Sequence, residues 1–345
     1  MMELGIGMFG DLSFDPETGR PGSAKQKLQD ILEQIKLADD VGLDVFGLGE
    51  HHRADYAVSS PEIVLAAAAA ITKNIKLTST VTVLSSAEPV KVYQDFSTLD
   101  LLSNGRAEIA VGRGSFIESF PLFGYNLKDY DQLFEEKLDL LLNINKNEVV
   151  NWTGKLRAPL VNQTVYPRAS NNGQLPIWLA VGGTPASVLR AAKLGMPLIL
   201  AIIGGMPAQF QPLVEYYKAE YVKNGHDLAK MQIGIHSHSF LSDEAAIIDD
   251  YYHNYAAQMN RIGMDRGWAP YTKGQYNGGR SKEGALFIGD ASEVIDKILH
   301  TRELFGITRF IGHMDVGDPS HAKMMKSIEI FGKEVAPAVR KATHN

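Results

Sequence analysis

Residues 99–114, Leu99-Asp100-Leu101-Leu102-Ser103-Asn104-Gly105-Arg106-Ala107-Glu108-Ile109-Ala110-Val111-Gly112-Arg113-Gly114, carry the device on which the fold turns. A helical pattern stops at a glycine, and an apolar, strand-like run begins at once. Glycine serves there because, lacking Cβ, it enters the left-handed conformation that ends a helix without steric cost. The same junction recurs at Val41-Gly42-Leu43, Leu194-Gly195-Met196 and Phe305-Gly306-Ile307. Short helix-to-strand connections repeated along a chain imply parallel strands joined by crossover helices.

Working outward gives eight candidate strands, at residues 3–9, 43–49, 76–84, 106–112, 176–181, 197–203, 231–240 and 307–314. Between them run helical patterns. In 25–41, Leu28, Ile31, Leu32, Ile35 and Ala38 recur at the spacing that buries one helix face, and Val294, Ile295, Ile298 and Leu299 do so before the last strand. Eight strand–helix units in 345 residues predict α/β architecture, a single (β/α)8 TIM barrel domain spanning residues 1–345. An open doubly wound sheet is the alternative. Two insertions interrupt the repeat. After the fourth strand come a helix near 129–145 and a polar stretch, VVNWTGKLRAPLVNQTVYPRAS, that reads as a hairpin. Before the eighth strand, residues 265–285 (DRGWAPYTKGQYNGGRSKEGA) show no period and read as a loop lid over the barrel mouth.

Composition narrows the function. A net charge of −6 and a pI near 5.9 exclude the basic footprint of a nucleic-acid binder. The absence of cysteine excludes disulfides, thiolate catalysis and Cys-ligated zinc. No apolar run approaches the roughly 18 residues of a membrane span. The opening MMELGIGMFGDLSF has no signal-peptide pattern, so the expectation is a cytoplasmic protein.

In a barrel, residues at the C-terminal strand ends face the active-site mouth. The second strand ends in Gly49-Glu50-His51-His52. A histidine there can move protons near neutral pH, or can simply close the barrel top as a satisfied polar group. Strand alternation predicts that only one of the two histidines points inward. The fourth strand ends in Val111-Gly112-Arg113-Gly114, whose guanidinium suits a phosphate; alone, Arg113 reads better as half of a structural ion pair. The fifth runs into Gly182-Gly183-Thr184-Pro185-Ala186-Ser187, where Thr184 suits an N-cap and Pro185 the first helical position. Free N–H groups at such a helix start form an anion site, though capping alone also explains the pattern. Adjacent strands would bring Arg113 and this turn to one rim. By contrast, Gly289-Asp290-Ala291-Ser292 reads as a plain capped helix, since Asp290 opposes a phosphate. His236 and His238 share a face of the seventh strand, with His313 on the eighth. They could bind a metal, but acidic partners are sparse, and we assign none. His238 could instead be a pocket residue. Tyr251, Tyr252 and Tyr255 read as packing residues.

With these residues in order, the chain resembles the luciferase-like flavin-dependent monooxygenases. The likeness runs through Gly5 to Phe9, Gly49-Glu50-His51-His52, Ala87-Glu88-Pro89-Val90, Leu99 to Arg106, Val111 to Gly114, Gly182-Gly183-Thr184 and Ile288-Gly289-Asp290. It implies an oxidoreductase, a flavoprotein that uses reduced FMN and O₂ to oxygenate a small organic substrate. It implies His51 as catalytic acid/base, with Thr80, Arg113, Gly182, Gly183, Thr184 and Ser187 on the cofactor. Glu50, His52 and His238 are candidates for the substrate pocket. A non-proline cis peptide is implied at Thr80–Val81, as are a separate flavin reductase and a homodimer formed through the helices after the second and third strands. Gly112 stands where luciferase has cysteine, Gly183 replaces an acidic residue, and the 265–285 segment differs; these depart from a light-emitting, long-chain-aldehyde enzyme. The alternatives are an F420-dependent oxidoreductase on the same barrel, a non-catalytic flavin-binding protein, and a metal-dependent hydrolase using His236, His238 and His313.

Overall fold

The computed structural model describes residues 2–344. Eight parallel strands close into a barrel: β1 (Glu3–Met8), β2 (Val45–Leu48), β3 (Lys76–Ser79), β4 (Ala107–Gly112), β5 (Ile177–Val181), β6 (Leu198–Ala201), β7 (Ile233–Leu241) and β8 (Arg309–His313). Each pairs with its neighbours in sequence, and β1 pairs with β8 (Gly5 opposite Ile311), so no edge remains and the doubly wound alternative is excluded. The four helix-ending glycines all take positive φ, from 64° at Gly195 to 84° at Gly105. The junction read from sequence is therefore the one the backbone uses.

Outward-facing side chains of the strands, such as Leu4, Ile6 and Met8, join the helices in one large core. The barrel interior is packed at its lower end. Arg309 donates to Glu108 and Glu3 and lies 4.1 Å over the Trp178 ring, with Lys76 completing the ionic floor. Above this lie Val45, Ala110, Trp178, Ile199 and Ile311. Higher still, the wall is cut back to glycine. A Cβ on Gly47 would come 2.3 Å from Thr80, and one on Gly49 would come 2.2 Å from the Phe9 ring. The interior is solid below and open above.

Two expectations need correction. The third strand is not continuous over 76–84: it breaks after Ser79, passes through a cis Thr80–Val81 peptide, and resumes as Thr82–Val83 beside Val111 and Gly112. The predicted hairpin is present at Val149–Trp152 and Leu160–Thr164. The segment 265–285, however, is not a loop. The helix Ala245–Arg266 runs into it and stops at Gly267, and a second helix covers Lys273–Arg280. Its start is a capping box in which Thr272 and Gln275 satisfy each other's backbone N–H groups. Its end is held by the Lys297 ammonium, which donates to the carbonyls of Gly279, Arg280, Ser281 and Leu286 at 2.6–3.3 Å. Tyr276 anchors it among Tyr251, Tyr255 and Leu286, and Phe287–Gly289 adds a short strand alongside β7.

Candidate active site

The open end of the barrel holds a cavity of about 350 Å³. Its side formed by the loops after β2 and β4 carries the charged groups, Glu50, Arg113 and Glu118. The side formed by β5, β6 and β7 is Ala180, Val181, Ile199, Ala201 and His236. Among the residues expected at the site, Glu50, His51, His52, Thr80, Arg113, Gly182 and Ser187 all line it.

Both histidines of the pair line the cavity, contrary to the alternation argument. They lie beyond Leu48, the last paired residue of β2, where the pleat no longer dictates side-chain direction. His51 is enclosed by rings: Tyr56 stacks on it at 4.2 Å, Phe9 meets it at 4.5 Å and Phe116 at 5.0 Å. Burial, then the neighbouring His52 and Arg53, push its pKa down to about 3, so it is neutral at physiological pH. His52 instead bonds Glu50 at 2.8 Å, and the other Glu50 oxygen accepts the Val83 N–H, fixing the chain just past the cis peptide.

The β4 and β5 ends are adjacent, with Ile109 opposite Ile177, which brings Arg113 and the Gly182–Ser187 turn to one rim. One Arg113 nitrogen bonds Asp131 at 2.7 Å. That is the structural ion pair expected of Arg113 taken alone, but Asp131 is exposed and engages one donor of five. The helix Pro185–Leu194 begins at Thr184 with no side-chain cap; the Thr184 hydroxyl goes to Ser187 Oγ at 2.9 Å. Its first N–H groups therefore have no side-chain acceptor, as an anion site requires. Gly183 (φ 107°) and Thr184 shape this turn but do not themselves line the cavity.

His238 also lies off the cavity: its Nδ1 is 2.7 Å from the Tyr255 hydroxyl of the helix that covers it. Tyr255 is thus a polar partner as well as a packing residue. The sequence reading placed His236 with His238 as one pair, and only His236 reaches the cavity. His236, His238 and His313 are all held neutral, chiefly by burial, the first two with pKa values pushed down to about 4 and about 3. Asp11, His313 and Asp315 come within 4.8 Å of one another, but their carboxylates already work on the backbone. Asp315 accepts the N–H groups of Phe9, Gly10 and Asp11, and Asp11 accepts that of Gly317. Lys27 supplies the positive charge there: burial opposes its ammonium, yet Asp315, Asp318 and Asp11 outweigh burial and raise its pKa.

A cover of aromatic and ionic contacts was not foreseen. The guanidiniums of Arg53 and Arg266 each lie 5.1 Å from the centre of the Phe116 ring. Arg53 reaches Asp55, Glu118 and Asp265 at 2.7–3.0 Å, and Arg266 donates to the Ser115 carbonyl. Only the beginning of the 265–285 segment thus reaches the mouth.

Comparison with known proteins agrees with this fold. The uncharacterized protein y4vJ of Sinorhizobium fredii is 25% identical over 337 residues, 94% of this chain and 95% of that one. The oxygenase component of the flavin-dependent trigonelline monooxygenase of Acinetobacter baylyi is 24% identical over 332 residues, 91% and 90% of the two chains. Among solved structures, the monooxygenase RslO1 of Streptomyces bottropensis superposes with a TM-score of 0.84 at 21% identity, covering 97% of this chain and 99% of that one. The FMN complex of the oxygenating constituent of 3,6-diketocamphane monooxygenase from Pseudomonas putida gives 0.74 at 21% identity, covering 98% and 99%. An F420-dependent secondary alcohol dehydrogenase gives 0.75 at 20% identity, with the same coverage. At these identities the structures establish the shared barrel. The sequence profile described as luciferase-like monooxygenase matches residues 2–309, and the chain, a flavin-dependent oxidoreductase by that descent, belongs to the luciferase-like monooxygenase family.

Proposed function

We propose that this enzyme takes reduced FMN and O₂ and oxygenates a small organic substrate. The observation that carries the FMN reading is the convergence, on one rim, of the Arg113 guanidinium, the Ser187 hydroxyl and a helix start without a side-chain cap. Guanidinium, hydroxyl and backbone N–H donors together suit a terminal phosphate. A further sign of fit is Thr80 Oγ1, which is buried on the cavity wall without a partner. Arg113, Gly182 and Ser187 would hold the phosphate end on the turn that Gly183 and Thr184 shape, and Thr80 would face the ring system.

When bound, the reduced flavin supplies the electrons that activate O₂. The chain's own residues provide the setting. His51, neutral and ring-enclosed, can accept a proton at one imidazole nitrogen. Phe116, held beside the Arg53 and Arg266 guanidiniums, covers part of the mouth, and shielding from water there would favour oxygen transfer over wasteful release. The relative described as an oxygenase component supports a separate flavin reductase, and the proposal includes the homodimer implied by the resemblance and a cytoplasmic location.

The F420-dependent neighbour keeps one competing reading in view, an F420 oxidoreductase. Titration of the protein with FMN and with F420, followed by reduced-FMN oxidation under O₂ with a substrate panel, separates them. Saturable FMN binding and substrate-dependent oxygen incorporation are expected. Preference for F420 with no oxygen incorporation would overturn the proposal, and FMN binding without turnover would reduce it to a flavin carrier.

A further inference from the structure

Thr80 Oγ1 is not alone. Glu118 Oε2 and His236 Nε2 are likewise buried without a hydrogen-bond partner on cavity-lining residues, but the Glu118 carboxylate is already held by Arg53 through its other oxygen. Thr80 is 3% exposed and His236 8%. In the closed order of eight strands, β3 and β7 are four places apart, so the two residues come from opposite walls. Room for the imidazole is made by Gly7 on β1, where a Cβ would stand 2.9 Å from Nε2. Of the other histidines near the mouth, His52 bonds Glu50, His238 bonds Tyr255 and His313 meets Asp315 at 3.3 Å, while His51 is packed among the Tyr56, Phe9 and Phe116 rings on the β2 side. His236 has no polar partner at Nε2; the Phe9 ring at 6.0 Å and the His313 ring at 5.3 Å are its aromatic neighbours.

The charges of the cavity divide in the same way. Glu50, Arg113 and Glu118 stand on the β2–β4 side, whereas below the phosphate rim at Gly182 and Ser187 the β5–β7 strands offer Ala180, Val181, Ile199, Ala201 and His236. A phosphorylated cofactor belongs on the charged side. A ligand's carboxylate or ammonium on the other side would be stripped of water without a countercharge, which is costly. A neutral imidazole nevertheless offers one donor and one acceptor nitrogen, enough for a single carbonyl or hydroxyl oxygen.

We propose that His236 is the substrate-anchoring, specificity-determining residue, and that the substrate is an uncharged organic molecule. Its apolar body rests on Ala180, Ile199 and Ala201, and its carbonyl or hydroxyl oxygen hydrogen-bonds His236. This rests on the flavin reading above, in which the ring system lies toward Thr80 and leaves the opposite wall to the substrate.

The test uses FMN-loaded protein and a series on one ring: cyclohexanone, cyclohexanol, methylcyclohexane, cyclohexanecarboxylate and cyclohexylammonium, with binding read from perturbation of the flavin absorbance. The oxygenated neutral probes should bind about tenfold more tightly than the hydrocarbon and than either charged probe, the scale of one hydrogen bond and of an uncompensated charge. His236→Phe should lower the oxygenated probes to the hydrocarbon's affinity while leaving FMN affinity unchanged. His236→Gln, which keeps a hydrogen-bonding group, should retain part of the preference, and thermal melts of both variants check folding. Charged probes binding as well as neutral ones would overturn the proposal. So would a preserved preference in His236→Phe, or no binding of cyclohexanone and cyclohexanol to FMN-loaded protein. If FMN itself does not bind, the flavin reading falls, and the same series measured by calorimetry on the flavin-free protein judges His236 by the same criteria.

Discussion

His51 shows how much a single environment decides. Its ring is enclosed by Tyr56, Phe9 and Phe116, and burial holds its pKa near 3. Between pH 5 and 8, turnover should therefore show no inflection from His51. An inflection near 6.5 that disappears in His51→Ala would contradict this. The same substitution should slow turnover at saturating FMN while sparing FMN affinity. Arg113 presents the opposite case, a partly exposed cation with one exposed partner, Asp131. Arg113→Ala should weaken FMN by roughly 1.5–3 kcal/mol, the range of a hydrogen bond to a charged group, whereas Asp131→Asn should change it little; fluorescence titration measures both. The motif residues were legible because their chemistry was local: Glu50, His51, His52, Arg113 and the Gly182–Ser187 turn need only a strand end to place them. His236 was legible as a histidine on the right strand but not as the one that reaches the cavity. Its separation from His238 depends on Tyr255, which lies in a helix that no short-range pattern places there.

Elements were readable where their own period or caps announced them. The amphipathic helix Ala24–Asp40 and the glycine-terminated junctions did so. The helix Lys273–Arg280 was missed because glycines at 274, 278 and 279 erase its apolar period. The signal present was the Thr272–Gln275 capping box, and the stabilising contacts come from afar, through Tyr276 and Lys297. Lys297 is pushed down to about 8, burial being the main cause, so its ammonium is held by the carbonyls around it rather than by a carboxylate. Lys297→Met should leave those carbonyls short of a donor and cost about 1–3 kcal/mol in urea denaturation. Amide exchange should quicken first in residues 273–280; uniform quickening across the barrel would show that the lysine supports the whole fold instead.

For the molecule as a whole, the barrel was legible from the count of strand–helix units, but its closure and its polarised interior were not, since both depend on which strands become neighbours. The ionic floor of Arg309, Glu108, Glu3 and Lys76 illustrates this, with partners up to 306 residues apart. Acid should act on two sets of groups. His51, His236 and His238 have folded pKa values below the unfolded value of about 6.5, so their contribution is complete above that pH and is lost as pH falls toward 3–4. Glu108 is buried, but Arg309 and Lys76 outweigh burial and lower its pKa, so its contribution is lost only at pH below the ordinary carboxylate value. Melting temperature should thus begin to fall below pH 6.5, and His238→Gln should flatten the upper part of that decline; an unchanged slope would remove His238 from the account. The glycine-lined upper wall carries a last consequence, for how such an enzyme can change its diet over evolutionary time. Any side chain at Gly7, Gly47, Gly49 or Gly112 would intrude within 3 Å of a neighbour, so point mutations there trade binding space against folding. Ala180 and Ala201, half-buried on the cavity wall, already carry a Cβ. Adaptation to a larger or smaller substrate has its readier road along the half of the barrel that holds them.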